Sequence, residues 1–283
     1  MEDVTFSRGP ARRPIARVSD ALLQWSTGLT TTKRMIYAGW LIETGRNEAL
    51  DAAMQSAGFE SITIKHGSGN LVTHWAVETA NMFVIADGVQ TIGEMKSTNE
   101  RYGIAFGWRT LPDGRPQSVL KFRVLLRELL EVGFYEPIQV SVKSTLTGDV
   151  LDALMHQYDV LDTIDALRTQ QGKAPLQPPF YACSIPLGPG QEVQRGAAQK
   201  KGIVPPVALI PTPINREYLV EHYVRKEWVP IIERLLDPTV AWSVATSAQI
   251  SEEPAVGHEG EASYDANADL VRNGQDRYVD SVL

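Results

Sequence analysis

Residues Phe59 to Thr79 read FESITIKH-GSGN-LVTHWAVET. Two runs rich in β-branched and aromatic residues, Phe59 to His66 and Leu71 to Thr79, flank Gly67-Ser68-Gly69-Asn70, whose residues tolerate the positive φ that a tight turn demands. The pattern predicts a β-hairpin. A four-residue loop pairs His66 with Leu71, Lys65 with Val72, Ile64 with Thr73 and Thr63 with His74. Ile62, Ile64, Trp75 and Val77 then share the core face, with Thr63, Lys65 and His74 opposite. The same register sends His66 and His74 to different faces, so they cannot share a metal ion.

Upstream, Ser19 can cap a short helix through Trp25, and Met35 to Ile42 reads as a strand. From Asn47, the spacing of Leu50, Ala53, Met54 and Ala57, closed by Gly58, predicts one short amphipathic helix. Downstream, Met82 to Ala86 and Arg101 to Arg109 read as strands, the second alternating Tyr102, Ile104, Phe106 and Trp108 with small or basic residues. Pro112-Asp113-Gly114-Arg115 is a turn. Val119 to Leu130 has helical spacing, although Phe122 to Leu126 alone also fits a buried strand. Ile138, Val140 and Val142 mark another strand, and Thr147 to Gln171 a long helix closed by Gly172. Eight prolines between Pro178 and Pro213 indicate loops or edge strands, and Ile214 to Asp237 is helical with a break at Pro230.

Strands and helices without regular βαβ alternation predict an α+β fold, a curved antiparallel sheet of OB-like or RRM-like kind flanked by helices. The expected organisation is a basic arm (1–18), a core domain (19–174), a Pro-rich segment with a C-terminal helix packed on the core (175–250) and an acidic disordered tail (251–283).

Among 283 residues there are 27 Lys and Arg against 34 Asp and Glu, a net charge of -7. The imbalance is local. From Ser251 onward eight carboxylates face only Arg272 and Arg277, leaving 25 basic against 26 acidic residues in positions 1 to 250. The tail is poor in large apolar residues and cannot bury enough surface to offset chain entropy. At the other end, Arg8, Arg12, Arg13, Arg17, Lys33 and Arg34 outnumber Glu2, Asp3 and Asp20.

Enzymatic signatures are missing from the pattern. Cys183 is the single cysteine, which excludes an internal disulfide and a multi-cysteine zinc site. Neither Gly67-Ser68-Gly69 nor Gly188-Pro189-Gly190 has the context of a P-loop or a dinucleotide fingerprint, and there is no Gly-x-Ser-x-Gly elbow. Glu94, Lys96, Glu100 and Asp149 are scattered carboxylates and a lysine without a telling spacing. The reading is a non-enzyme without metal or cofactor. No apolar run approaches the length of a membrane span, and Met1 to Pro10 lacks the apolar stretch of a signal peptide. Together with the lone cysteine this predicts a cytoplasmic protein that does not engage membranes.

Three strands offer a polar, basic side. Lys65 and His74 come from the hairpin. Arg101 and Arg109 bracket Gly103, Ala105 and Gly107, while Gln139, Ser141 and Lys143 line the last strand. Joined in one sheet, these faces form a shallow cationic surface low enough for a phosphate backbone to approach. Arg115 lies at the adjoining turn, and Arg12, Arg13 and Arg17 add a basic arm.

A basic arm, a near-neutral body and an acidic tail ending in Tyr278-Val279-Asp280-Ser281-Val282-Leu283 resemble the layout of bacterial and phage single-stranded-DNA-binding proteins. The likeness covers about 33 residues of composition, and this tip lacks a closing Phe. In that family an OB-fold core binds the strand while the acidic tail recruits protein partners and competes with DNA. The resemblance implies a non-catalytic protein for single-stranded nucleic acid, DNA foremost, with a protein partner for the tail. The alternative is a structural or assembly protein forming a homo-oligomer or a subunit of a larger complex.

Overall fold

The computed structural model describes residues 16–17, 21–30, 36–65, 70–86, 89–94, 104–195, 201–236 and 242–243. In chain order the elements are β1 (Ala16–Arg17), β2 (Leu22–Thr30), β3 (Ile36–Glu43), α1 (Glu48–Ser56), β4 (Glu60–Lys65), β5 (Leu71–Val77), β6 (Ala80–Val84), β7 (Val89–Glu94) and β8 (Ile104–Thr110). There follow β9 (Pro116–Leu126), α2 (Arg127–Glu131), β10 (Ile138–Lys143), α3 (Leu146–Gln170), β11 (Ile185–Pro189), β12 (Val193–Arg195), β13 (Lys201–Ile203), β14 (Pro206–Ala208), α4 (Arg216–His222), α5 (Val229–Leu236) and β15 (Trp242–Ser243). The architecture is mixed α+β.

An eleven-stranded sheet runs β14-β11-β6-β9-β10-β2-β3-β5-β4 and is not a closed barrel; β8 also pairs with β9, and β7 with β8. The long strand β9 organises it. Its first half pairs with β8 and its last residues with β6 along one edge, while β10 takes the other edge. Most pairings are antiparallel, but β10 runs parallel to β2.

Alternation along each strand sorts residues onto two faces. Leu23, Trp40, Phe122 and Val140 lie on one, packed against Leu50 and Met54 of α1 and Val150 and Leu154 of α3 in the main core. Here Trp25 and Trp40 meet edge to face at 5.0 Å. Trp40 Nε1 donates to Leu187 O at 2.9 Å and Trp25 Nε1 to Val204 O at 2.8 Å, so both indoles bind segments beyond residue 180 to the core. The opposite face is covered by α5 at the β6 end, where Phe83 and Leu125 pack beneath Trp228 and Ile232.

The α1 helix starts as its sequence directs, with Asn47 Oδ1 accepting from Leu50 N–H at 3.1 Å. It ends in a Schellman motif: Phe59 N–H reaches Met54 O, Gly58 N–H reaches Gln55 O, and Gly58 adopts φ +82. At Gly39 the backbone takes φ +155, a conformation that L side chains rarely adopt, and a Cβ would also lie 2.6 Å from the Tyr37 hydroxyl, so the position in β3 favours glycine.

Four expectations change. Residues 22–30 form a strand rather than a helix, because Leu23 and Trp25 turn inward at period two and hydrogen-bonded neighbours flank both edges. Pro116 to Leu126 is likewise a strand, with only Arg127–Glu131 helical: Leu120, Phe122, Val124 and Leu126 satisfy both periods, and pairing on both edges decides for the sheet. The hairpin forms, but its register is Lys65 with Leu71, Thr63 with Thr73 and Ile62 with His74, one residue away from the expected pairing. That shift moves His74 onto the face of Ile62 and Ile64 and leaves Trp75 with Lys65 on the other. The C-terminal helical region breaks at 223–228, ahead of Pro230, which sits in the first turn of α5 where its missing N–H is harmless. From the Pro-rich segment, β11 and β14 join the main sheet.

Candidate functional site

On the face opposite the α1–α3 core, strands β8, β9 and β10 carry a grid of polar side chains. The registers fix its rows: Arg123 opposes Gln139, Lys121 opposes both Ser141 and residue 105, Val119 opposes Lys143 and Gly107, and Gln117 opposes Arg109. Each row holds one cation, Arg123, Lys121, Lys143 and Arg109 in turn. Rows two residues apart are spaced by about 6.8 Å, so the four cations extend over about 20 Å along the strands.

The floor is recessed, Val119 being 1% and Ser141 7% exposed. The cationic side chains above it are half-buried. Burial foremost, then the nearby charges of Arg109 and Lys121, pushes Lys143 down to about 8. Arg109 Nε donates to Gln117 Oε1 at 2.8 Å, and Gln117 Nε2 donates to Ser144 Oγ at 2.9 Å, which fixes the guanidinium at the end of the patch. Chemically this is a line of four basic side chains with the Ser141 hydroxyl beside it.

Of the residues singled out from sequence, Arg109 and Lys143 meet on this face. Lys65 and His74 do not join them, since β2 and β3 stand between β10 and the β5–β4 hairpin. Lys65 is exposed on the other side of the sheet from His74, which is 7% exposed with Nδ1 3.2 Å from Val72 O. Arg115 sits in the β8–β9 turn, ion-paired to Asp113 at 2.6 Å, and this pairing holds the Asp113 carboxyl below its usual range. The backbone of Arg17 pairs with Ser243. Arg12, Arg13 and Arg101 lie outside the described residues, as do His66 and the whole tail.

Lys121 and Arg123 were missed because the segment carrying them resembles a helix. The signal was present in the alternation of Leu120, Phe122 and Val124 with Lys121, Arg123 and Leu125.

A second polar cluster lies at β11 and α4. Ser184 Oγ is 2.9 Å from His222 Nδ1, the Tyr218 ring stacks on the imidazole at 4.3 Å, and burial lowers the His222 pKa. Ser184 is fully buried and His222 7% exposed. Burial also raises the neighbouring Cys183 thiol to about 12, which makes it inert. Asp149 is clamped by Arg195 through two bonds of 2.6 Å. Glu128, its pKa raised by burial, accepts from Asn81.

Among the described residues no group of three His, Cys, Asp or Glu is placed to hold a metal, and no helix is long and apolar enough to cross a membrane. Comparison with family models, curated proteins and solved structures finds no match.

Proposed function

We propose that this chain binds single-stranded nucleic acid without catalysis, using the β8–β9–β10 face as an OB-like or RRM-like platform. The observation that carries the reading is the cation line, with Arg123, Lys121, Lys143 and Arg109 in four successive rows. A row pitch of roughly 6.8 Å is comparable to one nucleotide of extended backbone, so a single strand lying along β9 meets a cation at each step. Gly107 in the third row keeps the surface low. Recognition by phosphate neutralisation is insensitive to sequence and steeply dependent on salt. In this scheme the acidic tail is a competitor for the same surface and a handle for a protein partner, in a cytoplasmic setting.

The test is fluorescence anisotropy of a labelled oligothymidylate with the full-length protein between 50 and 200 mM salt. Four phosphate contacts predict a slope of log affinity against log salt near -3, from about 0.7 per phosphate on single strands. An affinity independent of salt overturns the reading. A chain ending at Ile250 is expected to bind more tightly than the full chain.

A second reading is supported by the net charge of -1 over positions 1 to 250, low for a dedicated nucleic-acid binder. It makes the protein a homo-oligomeric assembly component. Absence of oligonucleotide binding together with a defined oligomer by light scattering would favour it.

A further inference from the structure

We infer that the outer edge of β4 pairs with the same edge of a second copy of this chain, joining two sheets through an antiparallel β4–β4 ladder centred on Thr63. The inference is independent of the cationic face; it rests on the assembly reading and names the contact that reading requires.

Strand β4 ends the main sheet, with β5 on one side and no paired strand on the other among the described residues. The hydrogen bonds fix what it presents there. Thr44 N–H donates to Thr73 O at 3.1 Å, so the Thr73 main chain is turned toward β3. Peptide groups alternate along a strand, so Val72, His74 and Ala76 turn toward β4 and bond their opposites Ile64, Ile62 and Glu60. Thr63, opposite Thr73, belongs to the other set. Its Oγ1 meets Thr73 Oγ1 at 3.1 Å, the close side-chain approach of a pair without main-chain bonds. Ser61, Thr63 and Lys65 therefore send their N–H and C=O groups outward, and Ser61 and Lys65 are exposed.

The other strands that border the sheet are blunted. Strand β14 is three residues long, begins at Pro206 and lies against α3, while β7 has a register shift between Thr91 and Glu94. Strand β4 has neither proline nor register shift over its six residues, and its charges, Glu60 and Lys65, stand only at its ends. Such an edge is a template for another strand, which is why proteins commonly interrupt the ones they do not use.

Self-pairing satisfies this edge. A two-fold axis normal to the sheet keeps every side chain on its own face, so only residues an even number apart can oppose one another. With the axis at Thr63, that residue faces its own copy and Ser61 faces Lys65 of the second copy, in both directions. Three pairs that each exchange two bonds give about six main-chain hydrogen bonds. Between them Ile62, half-buried in the single chain, stands against Ile64 of the second copy as an apolar cross-strand pair. Antiparallel order also brings the Glu60 end of one strand to the Lys65 end of the other, where parallel order would align like charges.

The experiment is sedimentation velocity of the full chain from micromolar to submillimolar concentration, with melting curves to establish folding of each variant. The mass is expected to rise with concentration toward twice 31.2 kDa. Thr63→Pro removes the central outward donor without touching the β5 ladder and should raise the dimer dissociation constant about tenfold or more. Ser61→Lys sets a lysine against Lys65 of the second copy and weakens the dimer likewise; adding Lys65→Glu restores it. Thr63→Cys should cross-link under mild oxidation, since residues facing each other in a hydrogen-bonded pair lie about 5.5 Å apart at Cα. Leu71→Cys is the control, 62% exposed but on β5, about 20 Å from its copy in this arrangement. Native Cys183 is fully buried and does not contribute.

An oligomer that Thr63→Pro and Ser61→Lys leave unchanged overturns the β4 ladder while the assembly reading stands. Weakening by Ser61→Lys without recovery on adding Lys65→Glu overturns the register centred on Thr63. A chain that stays monomeric at every concentration, with Thr63→Cys cross-linking no faster than Leu71→Cys, overturns both the ladder and the assembly reading.

Discussion

Lys143 should be worth more to the protein removed than kept, as far as stability is concerned. Its pKa falls from 10.5 to about 8 on folding, chiefly because burial strips water from the ammonium and secondarily because Arg109 and Lys121 are near. At full effect this displacement corresponds to about 3 kcal/mol against the folded state at neutral pH. Lys143 is only partly buried, and screening by the remaining solvent reduces the figure by about half. Lys143→Met keeps the aliphatic stem and removes the charge, so it should stabilise the protein by roughly 1 to 2 kcal/mol at pH 7. The pH dependence gives the sign. Between about 8 and 10.5 the unfolded chain holds a proton that the folded chain has released, so wild-type stability gains from this group as pH rises through that window. The advantage of the variant should therefore shrink to less than about half by pH 9.5. Tyr37, Tyr218 and Cys183, all raised by burial, pull the other way at high pH, but equally in both proteins, and cancel in the difference. Urea denaturation at pH 7 and 9.5 measures it, with an expected midpoint increase of roughly half a molar at the lower pH. A variant destabilised equally at both values would show that the ammonium is not under strain on this face and would refute the reasoning. Under the proposed nucleic-acid reading, oligonucleotide binding by the same variant should weaken as the cation is lost.

Trp40→Phe removes the indole N–H that meets Leu187 O in a fully buried site; it should destabilise by about 2 to 3 kcal/mol, lowering the melting temperature by roughly 5 °C. Gly58→Ala puts a side chain at φ +82 in the Schellman turn after α1 and should cost about 1 kcal/mol, read as a shifted urea midpoint. His222 resists protonation in its buried setting while the unfolded chain accepts a proton near 6.5. Stability is therefore full above 6.5 and falls on acidification below it, and His222→Gln should flatten melting temperature against pH between 6.5 and 5.5.

The local signals were strong where one rule sufficed. The α1 helix begins at Asn47 and ends at Gly58 because a side-chain acceptor and a residue tolerant of positive φ stand at its two ends. The apolar stripe of α3 and the alternation of β8 and β10 were equally legible, as was the cationic character of Arg109 and Lys143. Where two periods fitted the same residues, the sequence could not choose. Leu22–Thr30 and Pro116–Leu126 became strands because neighbours on both edges satisfy their backbone groups, and those neighbours come from distant parts of the chain. The hairpin's register also lay beyond local reading, since β3 pairs Ile42 with Trp75 and thereby sets which residues of β5 face the α1 core. The cation line needed all of this. Lys121 and Arg123 reach Lys143 and Arg109 only because β9 lies between β8 and β10, a juxtaposition of segments that sequence spacing does not encode. Composition and periodicity determined that the chain would build a half-polar sheet beside amphipathic helices; long-range strand pairing decided which charges stand together on it.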